Sequence, residues 1–157
     1  MSIRCRPFSA SDTAALADLF VELQSFHGLP PQAREEIVAD IASMPAGFEV
    51  WLAADEDGAV VGFALASAYP GPGIAAGLYL KELFVTEAAR KRGVGRILMQ
   101  SLAQAAIGRG IKRIDWVTTY DNKKAREFYD RLGARANEQK VFYRLDRDGL
   151  AALAQAD

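Results

Sequence analysis

Residues 78–106, LYLKELFVTEAARKRGVGRILMQSLAQAA, constrain the fold of this chain more than any other stretch. The apolar run at 78–85 predicts a β-strand, and the periodic apolar residues after Gly93 predict an amphipathic helix that continues to about Gly108. Between the two elements lies RKRGVG, a basic turn with two glycines. A further strand is predicted at 112–119, so the whole segment indicates a parallel β-α-β crossover.

The rest of the chain adds antiparallel strands and more helices. The strands FEVWLAA (48–54) and AVVGFALASAY (59–69) flank the turn DEDG and predict a hairpin. The full predicted order is β-α-α-β-β-β-α-β-α-β with a short helix at the end, which indicates an α/β fold of the α+β type with a mixed sheet. The other predicted strands lie at 2–6 and 140–146, and a loop is predicted at 69–77. Helices are predicted from Ser9 or Ser11 to Gly28, over 32–44 and over 122–132. Pro31 suits the first turn of the helix at 32–44.

Length and composition limit what the protein does. The chain has the length of one domain, which we expect to span residues 1–157. Its net charge of −1 argues against a nucleic-acid partner, and no apolar run is long enough to cross a membrane. Cys5 is the only cysteine and His27 the only histidine, so the sequence predicts no disulfide and no metal site. A single cysteine without a secretory signal favours a cytoplasmic location.

The basic turn RKRGVG has the features of a phosphate site. A helix begins with unpaired backbone N–H groups and a partial positive charge, and glycines let a ligand approach the backbone closely. The pattern is not a P-loop, and it is not a dinucleotide fingerprint because position 98 is leucine. Taken alone, the six residues suit a phosphate site and a plain strand-to-helix turn with a solvated basic face equally well.

Two further stretches stand before and after this turn. They are IRCRPFSASDTAALADLF near the start of the chain and VTTYDNKKAREFYDRLGA at 117–134. In this order and spacing the chain resembles the GNAT superfamily of N-acetyltransferases, and its wording is most similar to the diamine and polyamine branch. The resemblance implies a single acetyltransferase domain with a mixed sheet of six to seven strands, splayed between the fourth and fifth strands. It also implies acetyl-coenzyme A as co-substrate.

The resemblance further implies where acetyl-coenzyme A binds. Backbone groups at the end of the fourth strand are expected to meet the pantetheine amides, and the turn is expected to hold the pyrophosphate through backbone N–H groups. Side chains of Arg92 and Arg96 are expected to add contacts, whereas that of Lys91 belongs to a solvated face. The implied cofactor-binding residues are Leu83, Phe84, Val85, Arg90, Lys91, Arg92, Gly93, Val94, Gly95, Arg96, Asn122, Ala125 and Phe128.

Tyr129 matches the family tyrosine near the thioester sulfur. Attack by an amine expels a thiolate, and a phenol with its ordinary pKa near 10 is able to protonate that thiolate. We therefore expect Tyr129 to be a catalytic acid, although a buried aromatic on an amphipathic helix would look the same in sequence. Asn122 matches the family asparagine beside the pantetheine arm, and it is equally natural as a helix cap.

Glu82 is the candidate for the catalytic base. An amine acceptor arrives mostly protonated and must lose a proton before it attacks. Many members of the branch carry two acidic residues at this pair of positions, whereas Lys81 stands at the first of them here. Strand alternation sends the side chains of Lys81 and Glu82 to opposite faces unless a bulge intervenes. Glu82 therefore either acts through a water molecule or pairs with a neighbouring cation, and His27 is an alternative that titrates near neutral pH.

The expected activity is transfer of an acetyl group to a primary amine of a small molecule, either diamine-like or amino-acid-like. Acetylation of a peptide N-terminus or of a protein lysine is a second possibility, and a coenzyme A-binding module without catalysis is a third. Members of the branch are commonly homodimers. Because the predicted strand at 140–146 presents aromatic surface that a partner would cover, we expect a homodimer here too.

Overall fold

Five strands form one mixed sheet in the computed structural model, which describes residues 2–70 and 76–155. The strands follow one another across the sheet in chain order, the first four antiparallel and the fifth parallel to the fourth. This arrangement confirms the α/β class and the crossover. The strands are β1 (Arg4–Pro7), β2 (Phe48–Ala54), β3 (Val60–Pro70), β4 (Ala76–Val85) and β5 (Ile114–Asp115).

Five helices accompany the sheet in the described part of the chain, and each lies where the sequence predicts one. They are α1 (Thr13–Phe26), α2 (Arg34–Ala42), α3 (Val94–Gly108), α4 (Lys123–Arg131) and α5 (Arg147–Ala154). Two 3-10 turns, Ala10–Asp12 and Glu87–Ala89, precede α1 and α3. Pro31 lies outside the first turn of α2, because Ala33 is the N-cap of that helix.

The two faces of the sheet are covered by different helices. Along β3 the side chains alternate, so Phe63 belongs to the buried cluster of α1 and α2, while Ala64 and Ala66 are buried on the opposite face. On that opposite face α3 packs against the strands and buries Leu98 and Leu102 completely. Small alanine side chains on the sheet allow a helix to approach closely.

Three sequence predictions differ from the structure. The strand predicted at 112–119 is only Ile114–Asp115. Residues 140–146 form no strand, although their aromatic and β-branched side chains favour one, because a strand needs a hydrogen-bonded partner and none pairs with them here. The predicted loop at 69–77 lies partly outside the described residues, and its ends belong to β3 and β4. The sheet accordingly has five strands among the described residues and not six to seven.

Two compact units can be separated by their internal contacts. The first, Met1–Val117, holds the whole sheet with α1, α2 and α3, and the second, Thr118–Asp157, holds α4 and α5. The prediction of a single domain over residues 1–157 stays a prediction.

Candidate active site

The edge of β4 is open over most of its length. Pairing with β5 is limited to Leu78 with Ile114 and Tyr79 with Asp115, both at the start of β4. β5 ends at Asp115, so nothing in it pairs with β4 beyond Tyr79, and the sheet is open between the fourth and fifth strands as predicted. The residues at 80–85 therefore leave backbone groups on this edge without a strand partner. An extended amide-containing ligand pairs well with such an edge.

A β-bulge interrupts β4 at Lys81. Leu65 of β3 stands opposite Glu82, but the next residue, Ala66, stands opposite Leu80, so Lys81 is the extra residue. The Lys81 Nζ and Glu82 Oε1 atoms are 3.3 Å apart. The bulge thus places on one face two neighbouring side chains that a regular strand would separate.

The pair formed by Lys81 and Glu82 lies on the side of the sheet that α1 and α2 cover. Leu65, which stands opposite Glu82 on β3, packs against the buried cluster of those two helices. Phe63, the next residue of β3 on the same face, belongs to that cluster. The Glu82 side chain is 26% exposed and that of Lys81 is 58% exposed. Glu82 is consequently the more sheltered partner of this ion pair, and both side chains still reach solvent.

The turn between β4 and α3 has an unusual backbone. Lys91 has a φ of 63°, a left-handed conformation that costs a non-glycine residue energy, and Gly93 has a φ of 81°. A Cβ atom at Gly93 would meet no atom within 4 Å, so the glycine is explained by its conformation and not by lack of space. Left-handed residues within a turn orient successive N–H groups into a concave anion-binding surface.

The start of α3 has no cap from a side chain. Gly93 is the N-cap, and the first helical bond runs from the Ile97 N–H to the Gly93 carbonyl oxygen over 3.1 Å. The N–H groups of Val94 and Gly95 precede that bond, and so they have no acceptor within the helix. The first turn contains no acidic residue, and the side chains of Lys91 and Arg92 are exposed. This helix start is therefore positive and open to an anion.

Arg90 is held by protein groups on several sides. Its backbone N–H donates to the Glu87 carbonyl oxygen at 3.2 Å, and its Nε donates to the Val85 carbonyl oxygen at 3.1 Å. Its guanidinium carbon lies 4.1 Å from the centre of the Phe26 ring and 5.9 Å from that of Phe84. Arg90 thus ties the end of β4 to the last residue of α1 and orients the turn. Phe26 was missed in the sequence because only the tertiary structure brings it beside Arg90.

The second unit contains the other predicted site residues. The Asn122 Oδ1 atom accepts a hydrogen bond from the Ala125 N–H at 3.2 Å, so Asn122 is the cap of α4. The rings of Phe128 and Tyr129 are half-buried, with their centres 5.2 Å apart. The helix cap that the sequence suggested for Asn122 is present.

A separate cleft of about 590 Å³ lies at the other end of β4. Gly77 and Leu78 line it together with Phe48 and Tyr69, and an ion pair between Arg109 and Glu49 at 2.8 Å stands beside them. The basic turn RKRGVG follows the last residue of β4, whereas this cleft lies beside the first residues of that strand. The cleft and the turn are therefore separate features.

Residues 2–70 and 76–155 contain no cluster of three or more histidine, cysteine, aspartate or glutamate side chains that would hold a metal ion. No helix in that part of the chain is long and apolar enough to cross a membrane.

Comparison with known proteins identifies the family. The sequence model of the Acetyltransferase (GNAT) family matches residues 12–134, which is most of the chain and includes parts of both units. The chain belongs to the GNAT family. GNAT proteins are acyltransferases that use acetyl-coenzyme A as co-substrate, so the predicted enzyme class and co-substrate are confirmed at the level of the family.

Individual proteins similar to this chain are as follows. An integron cassette protein from the mobile metagenome of V. cholerae, VCH_CASS6, superposes with a TM-score of 0.86 and 31% identity over 99% of both chains. The uncharacterised N-acetyltransferase YhfO of Bacillus subtilis is 29% identical over 90% of this chain and 95% of its own length. L-Ornithine N5-acetyltransferase NATA1 of Arabidopsis thaliana is 32% identical over 49% of this chain, and the match spans only 34% of NATA1.

Proposed function

We propose that this GNAT protein transfers the acetyl group of acetyl-coenzyme A to a primary amine of a small molecule, by direct attack of the amine in a ternary complex. The observation that carries the proposal is the uncapped, cationic start of α3 directly after a strand with an open edge. A pyrophosphate and an amide-containing arm need those two features side by side. The similarity to NATA1, an L-ornithine N5-acetyltransferase, supports a small amine as acceptor.

The donor site of this proposal follows the end of β4 into α3. Backbone groups of Leu83, Phe84 and Val85 meet the pantetheine amides, since the Phe84 side chain is buried and cannot take part. The pyrophosphate accepts hydrogen bonds from the backbone between Lys91 and Arg96. Arg90 orients this turn through its bonds to the protein. The family motif adds Asn122, Ala125 and Phe128 to the donor site.

Glu82 accepts the proton of the acceptor amine in this proposal, through a water molecule. Its carboxylate is partly sheltered by the protein and still reaches solvent, so a water molecule is able to bridge it to the amine. Glu82→Gln keeps the shape and removes the basicity. We expect kcat/KM to fall by about tenfold or more, with the largest loss at low pH, where more of the amine is protonated. A pH–rate profile identical to that of the wild type would assign Glu82 a structural role.

Tyr129 protonates the leaving thiolate in this proposal. A phenol hydrogen bond to sulfur strengthens as negative charge develops there, and this lowers the barrier. General acid catalysis contributes about 10²–10⁴-fold, so we expect Tyr129→Phe to lower kcat by about 10²-fold with little change in acetyl-coenzyme A affinity. Wild-type kcat in this variant, with chemistry shown to limit the rate, would mean that the thiolate leaves without help from Tyr129.

The decisive experiment follows the release of free thiol from acetyl-coenzyme A with a panel of acceptors. The panel holds diamines, amino acids, a peptide with a free N-terminus and a lysine peptide. Turnover of small amines supports the proposal, whereas turnover of the peptides alone would point to a protein acetyltransferase. Tight binding of acetyl-coenzyme A without turnover of any acceptor would point to a binding module.

We also propose that the protein is a cytoplasmic homodimer. The single cysteine suits a reducing compartment, and the apolar side chains of Val141, Phe142 and Tyr143 are exposed, as a surface covered by a partner would be in the isolated chain. Sedimentation equilibrium at micromolar concentration tests the dimer. A mass equal to that of one chain would refute it.

A further inference from the structure

The face of the sheet around Glu82 carries a balanced set of charges. Ser67 stands opposite Tyr79, and Leu65 stands opposite Glu82, so Tyr79 and Glu82 share the face that α1 and α2 cover. Asp115 is the β5 neighbour of Tyr79, so its side chain belongs to the same face. The two carboxylates on these strands are therefore those of Glu82 and Asp115.

Each of these carboxylates has a cation beside it. Lys81 Nζ lies 3.3 Å from Glu82 Oε1, and Arg113 Nε lies 3.1 Å from Asp115 Oδ2, although the second contact lacks the angle of a hydrogen bond. Arg113 also lies over the Tyr69 ring at 5.6 Å, which places its guanidinium on this face. The charges of these four side chains sum to zero.

A neutral set of charges is a poor match for a diamine or a polyamine. Such an acceptor carries two or more positive charges and no negative one, so its second cation would find both strand carboxylates already paired with cations and would be repelled by Lys81. A zwitterion suits the arrangement better, because it offers a carboxylate to a cation and an amine to a carboxylate.

We infer that the acceptor is an amine that also carries a carboxylate, such as an amino acid with a side-chain amine, and that Lys81 recognises this carboxylate. The inference rests on the proposed function and names its substrate class. The Lys81 ammonium has three N–H donors, and its ion pair with Glu82 does not occupy all of them. Since the Lys81 side chain is 58% exposed, the other donors are accessible to a ligand. In this arrangement Glu82 lies beside the acceptor amine, and Lys81 selects acceptors by binding their carboxylate.

A matched pair of acceptors tests this inference. Ornithine and 1,4-diaminobutane have the same carbon chain and differ only by the carboxylate. We expect the wild type to show a kcat/KM for ornithine at least about tenfold above that for 1,4-diaminobutane, because a charged hydrogen bond discriminates by about this factor. Lysine and 1,5-diaminopentane form a second pair with a longer chain and the same expected preference.

Lys81→Gln removes the cation while it keeps a side chain of similar reach. We expect the ratio of the two kcat/KM values to fall by about tenfold, and Lys81→Glu to reverse the preference in favour of the diamine. The ratio cancels any effect on Glu82 that both acceptors share. Lys112→Glu, at an exposed lysine in the same unit, is the control and is expected to leave the ratio unchanged. Thermal unfolding and acetyl-coenzyme A affinity show that each variant is folded.

The outcomes separate this inference from the proposed function. If the wild type acetylates 1,4-diaminobutane as well as ornithine or better, or if Lys81→Gln leaves the ratio unchanged, the inference is wrong while the proposed function stands. If none of the four amines releases thiol from acetyl-coenzyme A, the proposed function fails and the inference falls with it.

Discussion

The starts of α1 and α3 solve the same electrostatic problem in two different ways. Every helix begins with unpaired N–H groups and a partial positive charge, which a nearby anion stabilises. At α1 the protein places a carboxylate, that of Asp12, at the N-cap, although this carboxylate makes no hydrogen bond to the N–H groups of the helix. Asp12 is the N-cap of α1, and its carboxylate accepts hydrogen bonds from the Arg6 guanidinium at 2.7 Å and from the Ser9 N–H at 2.8 Å.

At α3 the protein supplies no anion. Gly93 has no side chain with which to cap, the first turn has no acidic residue, and Lys91 and Arg92 add positive charge. By contrast, α4 and α5 are capped by the side chains of Asn122 and Asp146. The comparison shows that the start of α1 already carries a carboxylate of the protein, whereas the start of α3 is available to an anionic ligand.

Gly95→Glu should have the largest effect, because it gives α3 the internal anion that α1 already has. The new carboxylate competes for the N–H groups and repels phosphate, so we expect acetyl-coenzyme A affinity to fall by about 100-fold in a folded protein. Isothermal titration calorimetry measures it. Ser11→Glu adds the same charge near the start of α1 and is expected to leave the affinity unchanged. Equal affinities in both variants would place the pyrophosphate elsewhere.

Asp12→Asn removes the internal anion of α1 and should lower stability. We expect the free energy of unfolding at pH 7 to fall by about 2 kcal/mol, because a buried, paired carboxylate loses its charge-assisted bonds. Acetyl-coenzyme A affinity should not change. Urea unfolding of the two proteins gives the difference.

The pH dependence of that difference has a definite sign. Hydrogen bonds from the Arg6 guanidinium hold the pKa of Asp12 well below its ordinary value. The stabilisation is therefore fully present above an unfolded-state pKa of about 3.9, and it is lost as pH falls below that value. The wild type and Asp12→Asn should converge in stability in acid. A difference that stays constant from pH 7 to pH 3 would exclude this ion pair as its source.

Gly93→Ala should have the smallest effect. Alanine in the left-handed conformation costs about 1 kcal/mol, which we expect as a loss in the free energy of unfolding. Gly108→Ala is the matched variant at the other end of α3, where φ is not in the positive range and a Cβ would meet no atom within 4 Å. That substitution should raise stability by roughly 0.5–1 kcal/mol. Two changes of the same sign in thermal unfolding would contradict the conformational explanation.

Much of the fold was predictable because its signals are local. The boundaries of β2 agree with the prediction at both ends, and α3 begins one residue after Gly93 and ends at Gly108. Periodic apolar residues and a glycine at a left-handed position act within a few residues of the chain. The same kind of local signal was misleading at 140–146, where strand-forming side chains have no strand beside them.

The candidate site was predictable only in part. The pattern of glycines and cations predicts the turn before α3. Strand alternation predicts that Lys81 and Glu82 share a face only if a bulge intervenes. The bulge itself was not predictable, since it is a mismatch in pairing between β3 and β4. The stacking of Arg90 on Phe26 was missed for a similar reason.

The sequence by itself determined the strand, the glycine turn and the helix start that follows it, because backbone preferences and helix electrostatics depend on neighbouring residues. Only the tertiary structure decided that β5 is limited to two residues, that Lys81 and Glu82 meet, and that Arg90 stacks on Phe26 of α1. These features depend on contacts between segments distant in the chain, and the free energies of such contacts are set by packing and strand register. No local pattern records them.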